Sequence, residues 1–127
     1  MSFKVLIVDD SKLARMSVAR ALSSLHPDWT RFEASNADEA LAIAAESEID
    51  ITLLDYNMPG TDGLTLATEL KAMKPCMPVA VVSANHQTEI VTRAQEVGAT
   101  FLAKPLTEAL LAQFLDGAVA QLGLNAR

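Results

Sequence analysis

The chain is predicted to fold as an α/β domain, a doubly wound five-stranded parallel sheet with helices on both faces. Three observations predict it. Short apolar runs alternate with longer segments of helical periodicity, five times over. The main apolar runs are rich in β-branched residues and show no polar alternation, which suits strands covered on both faces. The length, 127 residues, is that of one domain able to bury a real core.

Lys4–Val8 is the first strand. The first helix follows, with Ala14, Val18, Ala21, Leu22 and Leu25 on one apolar stripe. Thr30–Ala34 is a more polar strand and is expected at a sheet edge. The second helix starts at Asn36, a good cap, with Glu39 three residues on in the manner of a capping box. It runs through Ala40, Leu41 and Ala44. Ile49–Leu54 is the third strand. The third helix follows Gly63, carries Leu64, Leu66, Ala67 and Leu70, and ends before Pro75. Val79–Val82 is the fourth strand. The fourth helix carries Ile90, Val91, Ala94 and Val97 and stops at Gly98, a suitable left-handed terminator. Thr100–Ala103 is the last strand, and Leu110, Leu111, Phe114, Leu115, Val119 and Leu122 mark the fifth helix. Right-handed crossovers leave few topologies open, and the order 2-1-3-4-5 is expected because it is a known common arrangement of such sheets, not because these residues dictate it.

Half of the residues are hydrophobic and a fifth are charged, a globular composition. The net charge of −6 repels phosphate backbones, so nucleic-acid binding is not expected. Cys76 is the single cysteine, which excludes an internal disulfide. The apolar run of the N-terminus is too short for a signal peptide and ends at Asp9-Asp10. No stretch is long enough to span a bilayer, so a cytoplasmic protein is expected. His26 and His86 are expected to be ordinary exposed residues, and no His or Cys cluster has zinc-ligand spacing.

Parallel α/β sheets place their sites at the carboxyl ends of the strands. Asp9, Asp10 and Ser11 follow the first strand, Asp55 the third, Ser83 the fourth and Lys104 the fifth. Singly, each is an ordinary cap or surface charge. Together they bring three carboxylates, a hydroxyl and an ammonium to one edge. Clustered carboxylates repel, and a hard divalent cation relieves that. Magnesium suits such oxygen donors. It is expected to bridge Asp10 and Asp55 with the carbonyl oxygen of Asn57, Asp9 acting through a water. The same parts suit phosphoryl transfer: Asp55 as nucleophile, with magnesium, Lys104 and the Ser83 hydroxyl on the equatorial oxygens.

The motifs Val5-Leu6-Ile7-Val8-Asp9-Asp10-Ser11, Leu53-Leu54-Asp55-Tyr56-Asn57-Met58-Pro59-Gly60-Thr61-Asp62-Gly63, Val81-Val82-Ser83-Ala84 and Gly98-Ala99-Thr100-Phe101-Leu102-Ala103-Lys104-Pro105 occur in that order. In them the chain resembles the receiver domain of two-component response regulators, over nearly its whole length. The resemblance implies a flavodoxin-like fold, phosphorylation of Asp55 by a histidine kinase or a histidine phosphotransfer protein, and a cis peptide between Lys104 and Pro105. It makes Ser83 and Phe101 the switch pair, and Asn57 and Asn85 the gates on attack by water. Ser83 stands where many relatives have Thr, and Phe101 lacks a hydroxyl to bond when it turns inward.

A single receiver over residues 1–127 is expected, of the stand-alone chemotaxis type, monomeric or weakly dimeric, with no output domain. Its output is then binding of a downstream protein, or relay to another His. The rival reading is an aspartyl-phosphate phosphatase of the haloacid dehalogenase type. Such enzymes usually place a second Asp two residues after the nucleophile, where this chain has Asn57, and no cap insertion is present. A flavodoxin-like cofactor protein is disfavoured because Asp9-Asp10 would repel its phosphate. A receiver that binds partners without phosphorylation is disfavoured by the intact acidic set. Leu13, Met16 and Arg20 lie on a face of the first helix away from its buried stripe, and Leu13 and Met16 are expected to receive the donor's helix.

Overall fold

The computed structural model describes residues 2–58, 60, 62–84 and 87–125. Pro59, Thr61, Asn85 and His86 lie outside the described residues, and with them the readings made for Asn85 and His86. Ten elements alternate: β1 (Lys4–Val8), α1 (Lys12–Leu25), β2 (Thr30–Ala34), α2 (Ala37–Glu46), β3 (Ile51–Asp55), α3 (Gly63–Met73), β4 (Val79–Ser83), α4 (Thr88–Glu96), β5 (Thr100–Ala103) and α5 (Glu108–Asn125). The sheet order is β2-β1-β3-β4-β5, as expected, and every pair is parallel. The polar strand β2 is at an edge.

The period of two along each strand divides the core. Val5, Ile7, Ile51, Leu53, Ala80 and Val82 pack with Leu22 of α1 and with Leu111, Phe114 and Leu115 of α5. Leu6, Val8, Leu54, Val79 and Val81 pack on the other face with Ala40 and Ala44 of α2, Leu66 and Leu70 of α3, and Ile90 and Ala94 of α4. Asp55 shares the parity of Ile51 and Leu53, so it projects on the α1 side.

Three boundaries differ from expectation. Strand β3 begins at Ile51, two residues late, because Asp50 pairs with the start of β1 through its side chain. Its Oδ2 accepts from the Lys4 N–H at 2.8 Å, and its own N–H donates to the Lys4 carbonyl at 2.8 Å. Asp55 and Ser83 close their strands instead of following them. Ladder bonding continues past both: the Tyr56 N–H donates to the Val82 carbonyl at 2.9 Å, and the Lys104 N–H to the Ser83 carbonyl at 3.0 Å.

Side chains set the helix starts. Ser11, Asn36 and Asp62 accept from Ala14, Glu39 and Thr65 N–H groups. The box at α2 is displaced by one residue: the Glu39 carboxylate takes the N–H and hydroxyl of Ser35, not the N–H of Asn36. Those bonds hold the Glu39 carboxyl below its usual range, the Ser35 hydroxyl contributing most. Helix α4 ends as expected at Gly98, whose φ is +80°. The Ala99 N–H donates to the Ala94 carbonyl and the Gly98 N–H to the Gln95 carbonyl, a Schellman pair. His26 is not an ordinary exposed residue. It is half-buried and stacks on Trp29, with ring centroids 3.7 Å apart and planes at 5°.

Of the five glycines, Gly63 has the closest neighbours. Its N–H donates to the Tyr56 carbonyl at 2.8 Å, closing the loop after β3. A Cβ there would lie 2.6 Å from the Asp55 carbonyl oxygen and 2.7 Å from the Tyr56 Cα, both backbone atoms that cannot yield. Gly117, in the exposed middle of α5, meets nothing within 4 Å. Gly63→Ala should therefore destabilise the domain by about 2 kcal/mol. Gly117→Ala should stabilise it by roughly 0.5–1 kcal/mol through helix propensity. Urea unfolding of both variants measures the two changes, and equal effects would refute the account.

Candidate functional site

The carboxyl ends of β1, β3, β4 and β5 meet at one edge. Asp9 lies just beyond β1, and its N–H donates to the Ala34 carbonyl of β2 at 3.1 Å. Its Oδ1 accepts from the Ser11 N–H at 2.9 Å, tying the carboxylate to the start of α1. Asp9 is buried, Asp10 exposed and Asp55 buried. One carboxylate oxygen from each of the three lies within 4.8 Å of the others. The Lys104 Nζ stands 2.8 Å from Asp55 Oδ1. That contact is an ion pair only, since Oδ1 is buried and accepts no hydrogen bond of good geometry from a described residue. Ser83 is wholly buried at the end of β4, opposite Ala103 in the ladder.

Burial chiefly raises the Asp9 carboxyl above its ordinary range. The Asp55 charge and a hydrogen bond with Asp10 push the same way, while the Ser11 N–H and the Lys104 ammonium oppose them. An acidic group held partly against its charge is relieved by a cation.

The remaining residues are placed as follows. Asn57 is exposed in the loop two residues past Asp55. Phe101 is half-buried and packs against the α2–α4 side of the core. The Lys104–Pro105 peptide is cis. Leu13 is 78% exposed and Met16 44%, so the face of α1 that holds them is open. The structure thus gathers Asp9, Asp10, Asp55, Ser83 and Lys104 at one edge, with Leu13 and Met16 on the adjoining helix.

Sequence reasoning missed Arg15. Its Nη1 donates to the Asp9 carbonyl at 2.6 Å, and its Nε pairs with Glu33 Oε1 at 3.1 Å. It thereby braces the loop that carries Asp9 and Asp10 against β2. Its place four residues after the Ser11 cap was a faint signal, but the partner Glu33 becomes a neighbour only through the β1–β2 register, where it faces Ile7.

The donor set fits a hard divalent cation. It is all oxygen, it includes a buried carboxylate oxygen that takes no hydrogen bond from a described residue, and the Lys104 ammonium offsets only one of its three carboxylates. Among the described residues no other group of carboxylates, histidines and thiols comes together in this way, and no helix is long and apolar enough to cross a membrane.

Known proteins share the sequence and the fold. The chain is 33% identical over 124 residues to the glycerol metabolism activator of Pseudomonas putida, covering 92% of this chain and 56% of that protein. It is 40% identical over 118 residues to the positive alginate biosynthesis regulatory protein of Pseudomonas aeruginosa, covering 90% and 46%. The chain thus spans about half the length of these relatives, or less. Among solved structures, the chemotaxis protein CheY4 of Vibrio cholerae superposes with a TM-score of 0.84 at 27% identity, over 93% of this chain and 99% of that one. A response regulator receiver domain protein of Clostridium thermocellum gives 0.88 at 25% identity, over 96% and 98%. The model of the response regulator receiver domain matches residues 5–116, from the first buried strand to the fifth helix and across every residue of the acidic edge, so the chain belongs to that family.

Proposed function

We propose that Asp55 accepts a phosphoryl group from a phosphohistidine donor in a magnesium-dependent reaction, and that the domain signals by phosphorylation-dependent binding or by relay of that group. One observation carries the reading: Asp55, buried at the end of β3, has the Lys104 ammonium at 2.8 Å and the Asp9 and Asp10 carboxylates within 4.8 Å.

An Asp55 oxygen attacks phosphorus while the bond from phosphorus to the donor imidazole nitrogen breaks. The leaving nitrogen keeps the electron pair. Burial strips water from the nucleophile, and the strand holds it in one place. Lys104 and the Ser83 hydroxyl each take a phosphoryl oxygen. Asp10, Asp55 and the Asn57 carbonyl are the residues to hold magnesium, with Asp9 acting through a water; when bound, the ion offsets charge on the phosphoryl oxygens. The domain thus catalyses its own phosphorylation and dephosphorylation, with no other substrate. Asn57 offers no general acid, and the comparisons give no support to the phosphatase reading.

Output follows from packing. Ser83 is wholly buried and Phe101 half-buried on neighbouring strands. A pull on the Ser83 hydroxyl frees space for Phe101 to turn inward, which reshapes the surface of α4, β5 and α5. The partners are a histidine kinase or histidine phosphotransfer protein on one side and a downstream protein on the other.

Asp55→Asn should abolish label uptake from acetyl phosphate in magnesium, and uptake at the normal rate and stoichiometry would remove the assignment. The Asp9 carboxyl gives a pH test. Its pKa is raised in the folded state, so the native protein keeps the proton to higher pH than the unfolded chain, and stability falls as pH climbs from the ordinary aspartate range through the raised value. Asp9→Asn should therefore gain stability over the native protein in EDTA at pH 7 but not at pH 3, while binding magnesium more weakly. Urea unfolding at both pH values and a magnesium titration read this out, and a pH-independent difference would sink it. Leu13→Asp and Met16→Asp should slow transfer from a phosphohistidine protein by roughly tenfold, the cost of losing an apolar contact of about 1.4 kcal/mol. Phosphorylation by acetyl phosphate should be unchanged, and equal slowing with both donors would show damage to the site instead.

A further inference from the structure

From the acidic edge runs a groove whose apolar length the phosphoryl chemistry does not use. It encloses about 300 Å³ between α1 and the connection from β5 to α5. Helix α1 leaves this space open. Ala14, Ser17 and Ala21 line the groove at i, i+3 and i+7, and side chains this small leave it open over Leu53 and Val82. Leu106 forms the facing wall. Ser17 is exposed and Ala14 and Ala21 are half-exposed, so the groove is open to solvent.

The inner end is polar. Asp9 and Asp55 line it, both more than nine-tenths buried, together with Lys104. Two carboxylates against one ammonium leave that end net negative. Asp55 Oδ1, whose contact is the Lys104 ion pair, still accepts no hydrogen bond from a described residue. An apolar trough with a few charged groups at one end has the form of a small-molecule site, and its volume is at the lower limit of that class.

We propose that this groove binds a small primary amine with an alkyl or arylalkyl body. The tail lies along Leu53, Val82 and Leu106, and the ammonium meets Asp9 and Asp55. A carboxylate-headed molecule of the same shape is repelled there, and a neutral alcohol gains no ion pair. The amine and a divalent cation share the Asp55 carboxylate, and the amine takes the place beside Asp9 that the cation's water would occupy, so each excludes the other. Bound amine thus keeps the acidic edge from its metal. This inference rests on the edge taking cations, not on phosphoryl transfer.

The test uses hexylamine, hexanoate and hexanol as probes, titrated into the whole isotope-labelled chain in magnesium-free buffer and followed by amide shifts in α1 and near Leu106. Hexylamine should bind more tightly than the other two. Magnesium at ten times its own dissociation constant should weaken hexylamine by about tenfold, as strict competition requires. Ser17→Leu and Ala21→Leu fill the groove without touching a charge, and each should weaken hexylamine by about tenfold or more while magnesium affinity stays that of the native protein. Magnesium binding and a thermal melt show that each variant is folded. If Ala21→Leu does not fold, Ser17→Leu at the solvent-facing rim decides. Hexanoate or hexanol binding as tightly as hexylamine, hexylamine binding unaffected by magnesium, or native affinity in the filled variants would each overturn the proposal. Every readout is taken without a phosphoryl donor, so the outcome is separable from that of Asp55 phosphorylation.

Discussion

Placing the carboxylates of Asp9 and Asp55 side by side on buried ground is the constraint on which the rest of the site depends. For Asp9, desolvation and the neighbouring Asp55 charge both disfavour the charged form. The fold answers from several directions. Lys104 reaches Asp55 from the end of β5, the Ser11 N–H binds Asp9 from the start of α1, and Arg15 holds the Asp9 carbonyl while anchored to Glu33 on β2. Compensation is still partial, since Asp9 stays raised above its ordinary range. A cation at this edge would relieve that residual cost, and the proposed phosphoryl transfer depends on it.

Helix α1 serves three ends with three faces. Leu22 is buried against the sheet and supplies stability. Leu13 and Met16 stand exposed near the start of the helix, on the face proposed for a macromolecular donor. Ala14, Ser17 and Ala21 leave a groove open below that edge. A helix with 3.6 residues per turn presents such faces at once, and small residues on one of them cost packing while creating access. The loop after β3 shows the opposite economy. Gly63 lets the chain return so closely over Asp55 that no other residue fits, which fixes the position of the proposed nucleophile from above.

Response to a local charge requires an element with two packings. Ser83 is buried at the end of β4, and Phe101 is half-buried on β5 across from Val81. Lys104 follows the same strand as Phe101; its backbone N–H bonds the Ser83 carbonyl and its ammonium pairs with Asp55. Side-chain chemistry and strand pairing therefore pass through the same residue, the route by which the proposed phosphorylation of Asp55 would act on β4 and β5.

Local signals were enough for the elements themselves. Apolar runs without alternation marked buried strands, and helical spacing, Asn36 and Gly98 marked helix limits, because periodicity and cap chemistry depend on neighbours in sequence. The identity of Asp9, Asp10, Asp55, Ser83 and Lys104 as one group was legible for a similar reason: parallel sheets bring strand ends together whatever the loops do. Contacts between distant segments decided the rest. Asp50 took the first ladder position of β3 with its own carboxylate, Ser35 drew Glu39 away from the cap, and His26 found a partner in Trp29. Arg15 acquired a role only when the β1–β2 register set Glu33 beside it. The groove had no sequence signature at all, since small residues on a helix read as ordinary until the opposite wall is known. Short-range geometry belongs to the sequence; the burial of a charge, the partner of a side chain and the shape of a void belong to the packed structure, because each depends on atoms far apart in the chain.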